Sequence, residues 1–222
     1  MKNLLKIVSV ILSMFLIHSC EKDDDKPIKD VDGNVYTSVT IGTQVWMGEN
    51  LKTTKYNNGE QIPLVSDNNA WSNLTTPGYC WYNNDEATYK DTYGAMYNWY
   101  TVNTGNLCPT GWHVPSNEDW TTLVTFLGGD TVAGGKLKEK GTTNWNSPNT
   151  GATDDYGFKA LPGGEHDYSG LFYEIGYNGF WWSATDDVVN DAWNRDLYSN
   201  VSDMQRHSYI KRHGFSVRCL KD

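Results

Sequence analysis

The amino-acid sequence predicts an α+β fold built from short strands, many turns and a few short helices. Its 222 residues include ten Trp, fourteen Tyr and six Phe together with 21 Gly, and this composition favours short strands joined by turns around an aromatic core. The strongest helical repeat of apolar residues runs from Trp120 to Leu127. Long amphipathic helices are therefore expected to be scarce.

The first twenty residues have the layout of an export signal. Lys2 and Lys6 lead into an apolar run from Ile7 to Ile17, which at about a dozen residues is shorter than the ~20 that a membrane-spanning helix needs. The run ends in the letters IHSC, which resemble the bacterial lipobox, in which the cysteine is acylated. We expect residues 1–19 to be a lipoprotein signal peptide and Cys20 to carry the lipid. An ordinary signal peptide cut elsewhere and a short uncleaved anchor are the alternatives.

Residues 20–30 are charged, contain a proline and have no apolar face, so we expect a disordered acidic tether there. Their Lys-Asp-Asp letters resemble the surface-export signal of Bacteroidota lipoproteins. With a lipid on Cys20, this resemblance implies a protein held at the bacterial outer membrane and facing the cell surface. A solvated linker that carries no export signal is the alternative.

The remaining residues, 31–222, suit one compact domain. The chain has a formal charge of −9, and loss of Lys2 and Lys6 with the signal peptide would make it −11. We expect no binding to nucleic acid, because phosphates attract basic rather than acidic surfaces. No later segment is long and apolar enough to cross a bilayer, so the lipid would be the only attachment to the membrane.

The first half of this domain is predicted to contain strands and loops with one short helix. Residues 30–51 alternate apolar and polar side chains around the turn signals Asp32-Gly33 and Ile41-Gly42, which predicts a β-hairpin or meander. A short aromatic strand is expected at Cys80. From Tyr93 to Val102 apolar residues recur at helical spacing, which predicts a short helix.

The strongest helix signal lies between Ser116 and Gly129. Ser116 can be the N-cap with Asp119 three residues on, close to a capping box, and two glycines can end the helix in a left-handed conformation. A second, weaker helix is predicted from Asp130 to Gly141. Beyond Thr142 we predict loops and five short β segments, within residues 157–166, 170–176, 179–185, 192–199 and 214–222.

Seven stretches of the chain follow one another in a characteristic order. They are GTQVWMGENLKT, YGAMYNWYTV, LCPTGWHVPSNEDWTTL, GGKLKE, FKALPGG, GYNGFWWSAT and GFSVRCLKD. Together they closely resemble the Fibrobacter succinogenes major paralogous domain, common in Bacteroidota lipoproteins, over residues 31–222. That family is similar in turn to the C-type lectin-like fold, near the formylglycine-generating sulfatase-modifying domains. The resemblance implies two to three short helices packed on small twisted antiparallel sheets with long irregular loops.

The resemblance also bears on the cysteines. In C-type lectin-like domains a cysteine near a helix start often bonds one in the last strand. Cys108 and Cys219 occupy such places, which implies a disulfide between them. Cys80 would remain as a small buried hydrophobe. No catalytic residue is assigned, because proline and glycine separate Cys108 from His113, and no metal ligand is assigned, because the spacing of a structural zinc site is missing.

No cofactor is expected. Calcium-dependent sugar sites of C-type lectins use an acid before a loop proline and Trp-Asn-Asp in the next strand. Here Ser147 stands in place of the acid, and Arg195 follows Trp193-Asn194. Calcium prefers six to eight oxygen ligands, several of them carboxylate, so a site of that kind is not expected. The Asp-Asp pairs at 154–155 and 186–187 could form another site or a solvated acidic surface.

These observations favour a non-catalytic binding or interaction module for an extracellular glycan or protein. Tryptophan beside asparagine often holds a sugar ring by stacking and hydrogen bonds, and four residues are predicted to form such a ligand-binding face: Trp145, Asn149, Trp182 and Trp193. Strand alternation puts the adjacent Trp181 and Trp182 on opposite faces, although loops could bury both.

Two other functions stay open. The first is an enzyme or modifying factor related to the sulfatase-modifying domains, although the cysteine pair that their oxidase chemistry uses is missing here. It would have a reactive thiol at Cys80 and a cleft lined by His113 or His166 with acidic partners. The second is a structural subunit of a cell-envelope or adhesive assembly, which would expose a large apolar patch or an open strand edge.

Overall fold

The computed structural model describes residues 27–222 and has the predicted α+β fold. Within this part of the chain, five short helices lie among several small antiparallel sheets. The predicted signal peptide, Cys20 and most of the predicted tether precede residue 27 and lie outside the described residues. The prediction of disorder is wrong for residues 28–30, because Ile28–Lys29 pairs with Val35–Tyr36 as a strand and Asp30 is buried. Between residues 27 and 222, no helix combines the length and hydropathy that spanning a bilayer requires.

The elements are short throughout. The helices are α1 (Asn68–Ser72), α2 (Glu86–Tyr93), α3 (Trp99–Val102), α4 (Asn117–Leu127) and α5 (Asp130–Leu137). The strands are β1 (Ile28–Lys29), β2 (Val35–Tyr36), β3 (Ser38–Ile41), β4 (Gln44–Met47), β5 (Tyr79–Cys80), β6 (Met96–Tyr97), β7 (Trp112–His113), β8 (Glu165–His166), β9 (Phe172–Tyr173), β10 (Asn178–Val188), β11 (Asp191–Tyr198), β12 (Met204–Ile210) and β13 (Leu220–Lys221).

Two sheets organise the domain. The first has the order β3–β4–β13–β7, so β13, which comes last in the sequence, lies between β4 and β7. Leu220 pairs with Trp46 on one side and with His113 on the other. The second sheet is an antiparallel meander, β10–β11–β12. Pairs β1–β2, β5–β6 and β8–β9 complete the architecture.

Helix α4 confirms the strongest local prediction. The Ser116 hydroxyl accepts a hydrogen bond from the Asp119 backbone N–H at 3.2 Å, and the Asp119 carboxylate accepts one from the Ser116 backbone N–H at 2.9 Å. This is the reciprocal capping box, and Gly128 ends the helix with φ +102°. The face that the helix buries is Trp120, Leu123, Val124 and Leu127.

The prediction of a single helix from Tyr93 to Val102 is wrong. The segment forms β6 and then the one-turn helix α3, because its backbone has better partners elsewhere. The Tyr97 N–H donates to the Phe215 carbonyl at 2.9 Å, as in a strand. Asn98 then caps α3 by accepting from the Thr101 N–H at 3.1 Å. Tertiary pairing therefore overrides the helical spacing of the apolar residues.

Helix α5 is shorter than predicted and packs its glycines against loops. It ends at Leu137 rather than Gly141. A β-carbon at Gly134 would lie 2.2 Å from the Asp203 carbonyl oxygen, and one at Gly135 would lie 2.5 Å from that of Gly151. Larger side chains at these two positions would push α5 away from the loop that leads into β12 and from the loop around Gly151.

The two faces of strand β10 pack into two different apolar cores. Trp182 packs against Phe215 at 4.5 Å between ring centres in one core. Trp181 lies on the other face, in the core that contains Trp46 and Trp120. The predicted alternation of the two tryptophans is correct, and both faces of the strand are covered.

Lys138 anchors the long loop that follows α5. Its ammonium group is buried and donates to three backbone carbonyls, those of Thr150 (2.9 Å), Tyr198 (2.9 Å) and Val201 (2.8 Å). An ammonium has three N–H donors, so all of them are used. One side chain thus joins the loop after α5 to the end of β11.

The implied disulfide is present. Cys108 and Cys219 are bonded at an S–S distance of 2.01 Å, with 111 residues of sequence separation. The bond links the segment before β7 to the residue just before β13, next to the centre of the four-stranded sheet.

We expect the double replacement Cys108→Ala and Cys219→Ala to lower the free energy of unfolding by about 4–5 kcal/mol, since the bond restricts the unfolded chain over a long loop. Urea denaturation of the variant and the oxidised wild type measures this. A reduced wild type should behave like the variant, and a difference from oxidised wild type below about 1 kcal/mol would contradict the expectation.

Candidate functional site

Two tryptophans of the predicted ligand face are buried, so the prediction is wrong for them. Trp145 is 1% exposed and Trp182 is 0% exposed. Their indole N–H groups donate to backbone carbonyls, of Ala160 at 2.9 Å and of Tyr97 at 2.8 Å. A ring that the protein already covers cannot stack on a sugar.

The prediction that Asn149 belongs to a ligand-binding face is also wrong. It is 6% exposed, and its side-chain amide donates to the carbonyls of Glu139 at 2.9 Å and Gly141 at 2.6 Å. Its backbone has φ +46°, a left-handed conformation that asparagine tolerates better than most residues. Asn149 therefore holds the loop in shape rather than facing a ligand.

Trp193 is the one predicted ligand residue that stays accessible. It is half-buried on β11, and the Arg206 guanidinium lies over its ring at 4.7 Å from the ring centre. Cation–π contact of this kind holds the arginine against the indole. Trp193 and Arg206 thus form one side of a surface feature that extends toward α4 and α5.

That feature is a groove of about 600 Å³ between the sheet and the two helices, which we call the arginine groove. Helix α4 contributes Thr121, Val124 and Thr125, the segment into α5 contributes Gly129 and Asp130, and the sheet side contributes the rest. The charged and hydroxyl-bearing residues of the lining include Thr121, Thr125, Asp130, Arg195, Asp203 and Arg206.

Strand pairing brings two arginines together in this groove. Arg195 on β11 lies directly opposite Arg206 on β12. Arg195 is 3% exposed, whereas Arg206 is exposed. The Arg195 guanidinium donates only to neutral acceptors: the Asn117 side-chain oxygen at 3.1 Å, the Asn194 carbonyl at 3.2 Å and, more weakly, the Asn117 carbonyl and the Thr121 hydroxyl, both at 3.4 Å.

The charge of Arg195 has no close counter-ion. Among residues 27–222, no carboxylate oxygen lies within 4 Å of a nitrogen of Arg195 or Arg206. Burial lowers the pKa of Arg195 to about 10, and the charge of Arg206 acts in the same direction, while Asp130 and Asp196 oppose it. Arg195 is therefore protonated at neutral pH.

The opposite face of the same sheet carries a carboxylate–histidine pair. The buried Asp196 accepts from His207 Nδ1 at 2.6 Å and from the Tyr198 hydroxyl at 3.1 Å. Burial raises the pKa of Asp196, and the bond to Asp196 raises the pKa of His207. Because strand residues alternate, the negative charge of Asp196 points away from the groove.

Sequence reasoning missed the arginine pair. None of the five predicted β segments includes β12, so the sequence does not place Arg206 beside Arg195. In the sequence, Arg195 stands out only as a replacement for a calcium-binding acid. Residues 204–210 show no regular alternation of polar and apolar side chains, since the strand is only partly covered, so the sequence carries no clear strand signal there.

Cys80 lies in the core beside a histidine. Its Sγ is 3.2 Å from His166 Nδ1, and both residues are buried. Burial raises the pKa of the Cys80 thiol and lowers the pKa of His166 to about 4. The His166 ring stacks on Phe172 at 4.0 Å between ring centres. Both shifts favour a neutral thiol beside a neutral imidazole, whereas a nucleophilic cysteine needs a thiolate.

His113, the other histidine considered for a catalytic cleft, lies at the surface. Its Nδ1 is 2.7 Å from a carboxylate oxygen of Asp222, and its Nε2 is 3.5 Å from one of Asp119. These contacts join the start of α4 to the residue after β13. Over the described residues, no group of three or more His, Cys, Asp or Glu side chains is arranged to hold a metal ion.

We expect Cys80 to resist alkylation in the folded protein. The thiolate is the reactive form, and burial both raises the pKa of the thiol and excludes the reagent. Peptide mass spectrometry after iodoacetamide treatment at neutral pH should show no adduct on Cys80 in the native protein and an adduct on Cys80 after denaturation without reductant. Rapid native labelling would instead support an enzyme with a reactive thiol.

We also expect His166 to make the fold less stable in acid. Its folded-state pKa is about 4, against an ordinary 6.5, so below pH 6.5 the unfolded chain binds a proton that the folded chain does not. Stability from this group is complete above pH 6.5 and falls as the pH drops toward 4, by up to about 3 kcal/mol. Urea denaturation at pH 7.5 and 4.5 measures the fall. His166→Phe keeps a stacked ring without titration and should show a smaller fall; an equal fall in both proteins would contradict this.

Comparison with known proteins identifies the family. The family model described as the Fibrobacter succinogenes major domain matches residues 39–221, from β3 to the end of β13. Neither the curated proteins nor the solved structures give a match. The likeness to the C-type lectin-like fold therefore stays a prediction. Since the family model covers most of the sequence, the chain belongs to the Fibrobacter succinogenes major domain family.

Proposed function

We propose that this chain is a lipid-anchored, non-catalytic module at the bacterial cell surface that binds an extracellular carbohydrate. The binding surface is the arginine groove together with the accessible face of Trp193. The anchor is a lipid on Cys20 in the outer membrane, and the acidic tether holds the domain away from the lipid.

The N-terminal sequence supports the proposed location at the cell surface. The short apolar run and the IHSC letters are typical of a lipoprotein signal, and the charged tether is typical of surface export. The domain itself begins close to this segment, because β1 starts at Ile28.

One observation carries the binding proposal: a polar groove lies next to a partly accessible tryptophan. Hydroxyls of Thr121 and Thr125 and carboxylates of Asp130 and Asp203 offer partners for sugar hydroxyls. Its volume of about 600 Å³ is within the ~300–1,000 Å³ range of pockets that hold small ligands. Trp193 adds an apolar ring face of the kind that stacks on sugars.

We expect Trp193→Ala to weaken carbohydrate binding by about tenfold or more, since it removes the ring and releases Arg206 from its position. A glycan array of neutral and acidic oligosaccharides, probed with wild type and variant, measures this. Tyr173→Ala is the control, because it removes an exposed aromatic ring that does not line the groove.

The array results distinguish this binding surface and this class of ligand from the alternatives. Binding that Trp193→Ala preserves and Tyr173→Ala abolishes would place the ligand on another face. If wild type binds no oligosaccharide on the array and instead captures an extracellular protein, the carbohydrate proposal is wrong and the protein alternative replaces it.

A further inference from the structure

The two facing arginines are unusual because like charges directly opposite each other on neighbouring strands are destabilising. Arg195 and Arg206 occupy such positions. Burying a charge costs free energy unless it is paired, and Arg195 is almost fully buried with neutral partners alone. The groove therefore holds positive charge that the described protein does not neutralise at close range.

Arg195 differs from the other buried cations of the described chain because a second cation, Arg206, lies directly opposite it. The three N–H donors of Lys138 all bond carbonyls. Lys211 lies 2.7 Å from the Asp186 carboxylate. Arg218 donates to the Asn50 side-chain oxygen at 2.9 Å and lines a depression that also holds three acidic residues, Glu49, Asp91 and Glu139.

The two acidic residues of the arginine groove balance its formal charge, but neither forms an ion pair with an arginine. Asp130 is the first residue of α5, where a carboxylate interacts with the partial positive charge of the helix N-terminus. Asp203 precedes β12 and lies more than 4 Å from both guanidinium groups, as does Asp130. Both carboxylates remain available as acceptors for hydroxyl groups.

We propose that the arginine groove recognises an acidic sugar, with its carboxylate or sulfate group held between Arg195 and Arg206 and its ring hydroxyls donating to Asp130 and Asp203. This inference rests on the proposed carbohydrate-binding function and names its ligand class. Guanidinium groups match planar carboxylates and sulfate oxygens through paired N–H donors. The anion would also relieve the repulsion between the two arginines.

The combination of groups in the groove favours a sugar over a simple anion. A simple anion would use the arginines but would be repelled by the two carboxylates. A sugar acid carries negative charge at one position and hydroxyl donors at several others, which corresponds to a lining with two cations and two acceptor groups. The net charge of −9 disfavours long-range attraction of polyanions, so recognition has to come from this local arrangement.

Calorimetric titration of the whole chain, kept in mild detergent, tests the proposal with two matched probe pairs. The first pair is an oligogalacturonate and its methyl ester, and the second is a sulfated galactan oligosaccharide and its desulfated form. The charged member of at least one pair should bind tenfold or more tightly than its uncharged counterpart. The pair that shows this preference tells whether the anionic group is a carboxylate or a sulfate.

Substitutions then assign the preference to the groove. Arg206 is exposed, so Arg206→Gln should fold and should reduce the preference to about twofold or less. Arg195→Gln should do the same, checked for folding by circular dichroism. Lys140→Gln is the control, because it removes one positive charge from an exposed position outside the groove and should leave the preference unchanged.

Two results would overturn the inference. Equal binding of charged and uncharged probes is one, and a preference that survives both arginine substitutions is the other. In either case, binding that still depends on Trp193 leaves the proposed function standing. Absence of binding to every oligosaccharide, on the array and by calorimetry, rejects the proposed function together with the inference.

Discussion

The rest of the structure depends on the way β10 is held between two cores. The indole N–H of Trp181 donates to the Asn50 side-chain oxygen at 2.9 Å, and that of Trp182 donates to the Tyr97 carbonyl at 2.8 Å. With both faces anchored, the register of β11 follows, and Arg195 is paired with Trp181. A slip by one residue would turn Arg195 away from the helices and bring its neighbour into the groove. The position of Arg195 on β11 is therefore a consequence of the aromatic packing of the neighbouring strand β10.

Features that a few neighbouring residues determine could be predicted from the sequence. The capping box of α4 needs only Ser116 and Asp119, and both do what their spacing indicates. The bond between Cys108 and Cys219 followed from family resemblance, because no local rule connects residues 111 positions apart. The prediction of a helix from Tyr93 to Val102 is wrong because the backbone hydrogen-bond partner of Tyr97, Phe215, comes from a distant part of the chain.

The candidate site could be predicted only in part, because exposure is a property of the assembled fold. Alternation correctly separated Trp181 from Trp182, yet it could not tell that both faces of β10 are covered. Of the predicted ligand residues, Trp193 alone is not buried, and no pattern in the sequence separates it from the other three. The arginine pair arises from pairing between β11 and β12, and no pattern within either strand specifies its partner.

The place of β13 in the four-stranded sheet sets the order in which the domain can be completed as it folds. β4 and β7 come long before β13 in the sequence, yet both pair with it and not with each other. Until residues 219–221 dock, these two strands present unpaired backbone groups, and Cys108 has no sulfur to bond. An exported chain that emerges N-terminus first therefore cannot close this sheet from its first strands. Its open edges can pair with other chains until β13 arrives.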